Sequence, residues 1–146
     1  LYNSERRSKD DIIFEALGTI DELSAELSKC YLRMIKIGNL QMIDPQIIIT
    51  IQSRLLDIGS SIATPRDSTR SEFKLNRTTF PDTALTTLEN EIDQLDNVLP
   101  TLKNFILPSG NKLACDLHIC RVTCRRAERL VVALNNNKPN SVEDNV

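Results

Sequence analysis

Apolar positions recur along this chain at alternating steps of three and four over four separate stretches, the period of helices packed side by side. The first stretch predicts a helix from Lys9 to Ile37, with Ser8 as its cap and Ile13, Leu17, Ile20, Leu27, Tyr31 and Met34 on one stripe. Gly38-Asn39 ends it, because glycine accepts the left-handed backbone that closes helices. The second helix starts at Asp44-Pro45, a capping residue followed by proline at the first helical position, and carries Ile48, Ile51, Leu55, Ile58 and Ile62 before Pro65 stops it. Residues 66–79 are polar and basic and predict a loop. The third helix begins at Asp82, bears Leu85, Leu88, Ile92, Leu95 and Leu99, and ends at Pro100. A short apolar approach, Asn104 to Leu107, is broken by Pro108, and Ser109-Gly110 opens the fourth helix. That helix spans Asn111 to Leu134, about 36 Å at 1.5 Å per residue. The tail, Asn135 to Val146, is asparagine-rich and predicts disorder or a linker. Four stripes of one period predict an all-α, up-down helical bundle.

Composition supports that class. Gly is low at four residues, aromatics make up 4%, and aliphatic helix formers carry the apolar content of the 146 residues. The length suits one domain, which buries roughly 70% of its unfolded surface without needing disulfides or metal. A net charge of −2 gives no broad basic field for nucleic acid. No run of about 20 apolar residues is present to span a membrane. The four cysteines are Cys30, Cys115, Cys120 and Cys124, and the last two fall on an apolar seam, which reads as small core residues in a reducing compartment. A metal site at His118, Cys120 and Cys124 lacks a paired Cys-x-x-Cys and a second histidine. No Glu-x-x-His occurs for a di-iron bundle, and no Gly-x-x-x-x-Gly-Lys-Ser/Thr for a phosphate loop.

One local feature departs from this ordinary picture. Arg121, Arg125 and Arg129 recur every four residues on the fourth helix, with Arg126 and Glu128 between them. Beside that ridge runs the seam Leu113, Leu117, Cys120, Cys124, Ala127, Val131 and Leu134. Guanidinium groups so close to a core are costly unless an anion meets them. A solvated, salt-bridged face is one outcome, and a polyphosphate gripped by paired hydrogen bonds is the other.

Five pieces in order weigh on that choice: SKDD (Ser8 to Asp11), EALGTIDEL (Glu15 to Leu23), DIGSSIATP (Asp57 to Pro65), LKNFILPSG (Leu102 to Gly110) and CRRAERLVVAL (Cys124 to Leu134). Together they resemble the PduO-type ATP:cob(I)alamin adenosyltransferases, with wording nearest the eukaryotic, mitochondrial branch. The resemblance implies a five-helix bundle that assembles as a homotrimer with active sites between subunits. It implies a transferase that moves the 5′-deoxyadenosyl group of ATP, with Mg2+, to cob(I)alamin and releases triphosphate. It further implies the mitochondrial matrix as location in a eukaryote, the cytoplasm otherwise, and a cobalamin-dependent mutase and a reductase as partners.

Residue roles follow from the same resemblance. Lys9, Arg125, Arg126, Glu128 and Arg129 match ATP-binding positions, with Glu128 either binding through solvent or holding the arginines. Arg121, Arg125 and Asp21 match residues that act in the reaction, Asp21 pairing with Arg121 across a subunit interface. Phe105 matches an aromatic beside the corrin ring. Each has a plainer reading: a surface lysine at a helix start for Lys9, an exposed acid beside Glu22 for Asp21, core packing for Phe105. The family's opening Thr-Gly-Asp-x-Gly loop and its last helix with Asn-Arg-x-Ser-Asp have no counterpart here, and the chain opens on Leu1, which implies a trimmed or processed form of a longer protein, with a degenerate family member as the alternative. The competing class is a non-catalytic helical assembly protein, which ATP binding separates from the enzyme; a cobalamin carrier that hands its cargo to a mutase is a third reading.

Overall fold

The computed structural model describes residues 1–146 except 39, 41, 42 and 144. The described residues form helices and connections: α1 (Ile12–Ile37), α2 (Gln46–Ile62), α3 (Glu72–Arg77), α4 (Thr83–Asp96) and α5 (Lys112–Asn137). The all-α expectation holds.

Local chemistry sets the ends of these helices. Asp11, not Ser8, caps α1: its backbone is extended and its carboxylate accepts from Ile13 N–H at 3.0 Å. A carboxylate also suits the positive end of the helix. Gly38 closes α1 at φ 82°, and its N–H bonds to the carbonyls of Met34 and Ile35; Asn39, expected to share that role, lies outside the described residues. Asp44 accepts from Gln46 N–H at 2.9 Å, and Pro45 already has helical angles, so the Asp-Pro start of α2 is as expected. Asn111 caps α5 by accepting from Ala114 N–H at 2.9 Å.

Two expectations are corrected. The 66–79 connection is not all loop. Ser71 accepts from Lys74 N–H and starts the six-residue α3, and Thr69 and Phe80 on either side of it are buried. The tail is neither a linker nor free of structure. α5 continues to Asn137, and the chain then folds back to bury Ser141 and Val142. Glu143 pairs with Arg66 and accepts from Phe80 N–H at 2.6 Å.

α1 lies between α2 and α5 and packs on both. Ile13, Ile20, Ile62, Ala127, Leu134 and Val142 make one core cluster. Leu23, Leu27, Cys30, Met34, Ile48 and Cys120 make the other. Along α1 and α5, Asp11 meets Lys138, Glu22 meets Arg126, Glu26 meets Thr123, Cys30 meets Cys120 and Arg33 meets Asp116. Position numbers rise on one helix as they fall on the other, so the pair is antiparallel and in one register.

The α5 seam is corrected in part. Cys120, Ala127 and Leu134 are buried, but Leu117 and Cys124 are exposed, and Thr123 is buried in their place. The stripe of α4 finds no cover: Leu85, Leu88 and Ile92 are exposed, as are Leu99 and Phe105 beyond it. Three long helices therefore make the packed unit, and α4 with the following segment presents its apolar face outward. Phe105 accordingly has no part in the core of this chain.

Candidate functional site

The register of α1 and α5 decides where each candidate side chain points. Arg121, Arg125 and Arg129 all lie on the exposed side of α5, and among the described residues none of them takes part in an ion pair. Arg126 is on the opposite flank and donates to the Glu22 carboxylate of α1. The arginine-rich run is thus split by helix geometry into one tethered guanidinium and three whose donors face outward.

Glu128 sits beside the ridge and lines a cleft of about 370 Å³ between α2 and α5, together with Leu55, Ile58, Cys124, Val131 and Asn135. Partial desolvation of the Cys124 sulfur at the cleft wall, with the Glu128 carboxylate adding to it, pushes that thiol up, so it is a poor nucleophile at neutral pH. The amide oxygen of Asn135 is buried without a partner among the described atoms.

Asp21 is exposed on α1 and lines a different cleft of about 420 Å³ with Leu17, Gly59, Ser60, Arg77 and Thr78. It does not meet Arg121 within the chain. Cys120 touches Cys30, so Arg121 stands level with residue 29, eight positions from Asp21, or roughly 12 Å along α1. Lys9 precedes α1, and its ammonium lies 5.2 Å from the centroid of the Phe14 ring, a cation–π contact. Asp11 pairs with Lys138, which puts this end of α1 thirteen residues from Arg125, roughly 20 Å along α5. Lys9 and Arg125 of one chain therefore stand at different levels of the α1–α5 pair. Phe105 is fully exposed in the segment between α4 and α5. The structure thus brings Arg121, Arg125 and Arg129 together, places Glu128 at their edge, and leaves Lys9, Asp21 and Phe105 apart from them.

Sequence reasoning passed over several residues that hold this frame. Glu22 tethers Arg126, and Glu26 accepts from the buried Thr123 hydroxyl at 2.8 Å. Arg7 is buried to 8% exposure and bonds Glu5 at 2.7 and 3.0 Å. The Glu5 bond, opposed by burial, holds the Arg7 guanidinium up, and the same bond draws the Glu5 carboxyl down to about 2. The Ile13 N–H first, then Lys138, holds Asp11 below the usual carboxylate range. A signal existed for Glu22 and Glu26: with the stripes of α1 and α5 laid antiparallel, both acids fall opposite α5. None existed for Arg7, whose local partners Glu5 and Asp11 read in sequence as an ordinary exposed charge run.

Among the described residues no group of three or more His, Cys, Asp or Glu is arranged to hold a metal ion, and no helix is long and apolar enough to cross a membrane.

Comparison with known proteins adds an independent line. A family model described as Cobalamin adenosyltransferase matches residues 1–146. The corrinoid adenosyltransferase MMAB of Mus musculus is 46% identical over 133 residues, covering 91% of this chain and 54% of that protein. The corrinoid adenosyltransferase of Bacillus subtilis is 36% identical over 129 residues, 88% of this chain and 63% of that protein. A phenylalanine-to-alanine variant of the PduO-type ATP:corrinoid adenosyltransferase from Lactobacillus reuteri, solved with cobalamin and ATP, superposes with a TM-score of 0.79 at 29% identity, over 99% of this chain and 75% of that one. The chain spans about half the length of the mammalian relatives it matches. With the family model matching from end to end and relatives well above 30% identity, this chain belongs to the cobalamin adenosyltransferase family.

Proposed function

We propose that the chain carries the ATP- and corrinoid-handling core of an adenosyltransferase, in which the 5′-deoxyadenosyl group passes from ATP to the cobalt of cob(I)alamin and triphosphate leaves. One observation supports this most: Arg121, Arg125 and Arg129 form an outward ridge free of carboxylate partners among the described residues, while Arg126 on the same helix is already tethered. Forked donors at that spacing suit the oxygens of a phosphate chain, and they favour the charge that gathers on a departing triphosphate. The Lactobacillus reuteri relative binds both cobalamin and ATP, which is what a ridge of this kind would serve.

The separation of Lys9 from Arg125 and of Asp21 from Arg121 favours a site shared between copies. In a homotrimer, Lys9 of one subunit meets the arginine ridge of the next, and Asp21 pairs with its neighbour's Arg121. The uncovered face of α4 and the exposed segment through Phe105 fit both such an interface and the apolar flank of a corrin ring. Cobalt(I) is itself a strong nucleophile, so the protein's part is to hold ATP, aim its 5′ carbon and exclude water. Glu128, unpaired at the ridge's edge among the described residues, comes to hold Arg125 and Arg129 once ATP is bound. Magnesium travels with the phosphates, since the described residues offer it no cluster of protein ligands. The similarity to mammalian relatives favours the mitochondrial matrix for a eukaryotic source, with a reductase supplying cobalt(I) and a mutase receiving the product.

The test is adenosylation of chemically reduced cobalamin by the purified full-length protein, read as a light-sensitive cobalt–carbon product with release of triphosphate, alongside calorimetric ATP binding. ATP binding without adenosylation would favour a carrier. Neither activity, from folded protein, would leave the assembly-protein reading. Light scattering that gave only monomer at micromolar concentration would remove the shared site.

A further inference from the structure

Cys30 on α1 and Cys120 on α5 face one another inside the second core cluster, 0% and 5% exposed, with their sulfurs 3.6 Å apart. The contact is fixed on both sides, because Thr123 bonds Glu26 one turn away in one direction and Arg33 pairs with Asp116 one turn away in the other. Neither sulfur is used in the proposed chemistry, and all four cysteines of the chain are free thiols. We infer that Cys30 and Cys120 form a reversible dithiol–disulfide pair that ties α1 to α5.

The step balances with hydrogen peroxide as oxidant. One thiolate attacks the peroxide oxygen, gives a sulfenic acid and releases water. The second thiol then displaces a second water and closes the S–S bond. Each sulfur gives up one electron to the bond, and the two peroxide oxygens gain the two electrons. A dithiol reductant reverses it by exchange. A small peroxide suits the site better than a bulky disulfide, since neither sulfur has open surface. Burial raises the Cys30 thiol, and burial together with the Cys30 contact pushes Cys120 up to about 12. Thiolate is therefore scarce and closure is slow, which distinguishes this pair from a rapid sensor. Its consequence is mechanical. The bond would pin the register of the helices that carry Asp21 and the arginine ridge, and it would close a loop of about 90 residues, constraining the unfolded chain.

The experiment starts with full-length protein reduced by dithiothreitol, then freed of it and treated with hydrogen peroxide. Peptide mapping without reduction should find the Cys30 and Cys120 peptides joined within one chain, lighter by two hydrogens, and separated again by dithiothreitol. The thermal midpoint should rise by roughly 5 °C or more on oxidation and return on reduction. Cys30→Ser should remove both the link and the rise, and a Cys115→Ser/Cys124→Ser chain should keep them. Because mapping of the unmodified chain assigns the link directly, a variant that fails to fold does not spare the inference. It is overturned if both thiols remain alkylatable after denaturation, if they carry sulfinic acid without a link, or if the only disulfides formed involve Cys115, Cys124 or a second chain.

Discussion

Arg126 donates to Glu22 across the α1–α5 interface, whereas Arg125, its neighbour in sequence, faces outward with no acid in reach among the described residues. One residue of helix turns a side chain by about 100°, enough to send two adjacent arginines to different tasks. The tether is more than half exposed at both partners, so it adds little stability of its own. Its value is geometric: it occupies Arg126 and leaves the ridge to a ligand.

That division predicts unequal mutants. Arg125→Ala should weaken ATP binding or turnover tenfold or more, since each charge-assisted bond lost is worth roughly 1.5–3 kcal/mol and about 1.4 kcal/mol is a factor of ten. Arg125→Lys should recover little, because an ammonium cannot reproduce the fork. Circular dichroism should be unchanged for both. Calorimetric ATP affinity close to the parent's in a folded Arg125→Ala protein would return the ridge to an ordinary solvated face.

Asp21 and Arg121 lie too far apart to meet in one chain, so their coupling should appear only in the assembled protein. Asp21→Asn and Arg121→Leu should each impair use of the corrin more than ATP binding. Breaking one partner of a buried pair costs roughly 3–5 kcal/mol, less where water reaches it. The double variant should lose much less than the two single losses combined. Strictly additive losses would show that the residues do not interact across copies.

The acid limb of stability should report on the segment before α1. Glu5 titrates at about 2 instead of 4.5, chiefly through its bond from Arg7 and then from Ser68. Asp11 is lowered as well, through Ile13 N–H and Lys138. A carboxyl depressed in the folded state stabilises it above the unfolded value, and that contribution is lost as pH falls from 4.5 toward about 2. Urea midpoints should therefore fall across that window, and Glu5→Gln should flatten the fall while lowering stability at neutral pH. A variant whose acid profile matches the parent's would show that the Arg7 bond does not persist in solution.

Much of this arrangement was legible in the sequence because it rests on local rules. Ile13, Ile20, Leu27 and Met34 are buried as their spacing demands, and Asp44-Pro45 and Gly38 mark helix ends as expected, whereas α5 is capped by Asn111 rather than opened by Ser109-Gly110. The arginine ridge follows from a period of four alone. The rest depends on partners remote in the chain. Thr123 replaces Leu117 and Cys124 inside because Glu26 satisfies its hydroxyl, and polarity alone would have put it outside. α4 repeats the stripe of a packed helix, yet Leu85, Leu88 and Ile92 stay exposed. The tail after α5 is polar in composition, yet Ser141, Glu143 and Asn145 are held by backbone and side-chain bonds to residues 66–82.

The tail supplies the last test. Glu143 accepts from Phe80 N–H with one oxygen at 2.6 Å and pairs with Arg66 through the other. Its side chain is 12% exposed and that of Arg66 31%, so the pair is partly shielded from water. Asn145 adds bonds to the Phe80 carbonyl at 3.3 Å and to Asp82 at 2.9 Å, and Val142 enters the core beside Ile62 and Leu134. Glu143→Ala removes the acceptor and leaves a buried N–H and a half-buried guanidinium without it. Such orphaned donors cost roughly 1–3 kcal/mol, which for a chain of this size lowers the thermal midpoint by roughly 2–4 °C per kcal/mol. Glu143→Gln keeps an oxygen for Phe80 N–H but loses the charge, so its cost should be smaller. Hydrogen exchange at Phe80 should quicken in Glu143→Ala while amides in the middle of α1 stay protected, since the tail opens before the core does. If Phe80 exchanges at the parent's rate in Glu143→Ala and the midpoint does not move, the tail is not docked in solution, and residues 138–146 revert to the linker that their composition predicts.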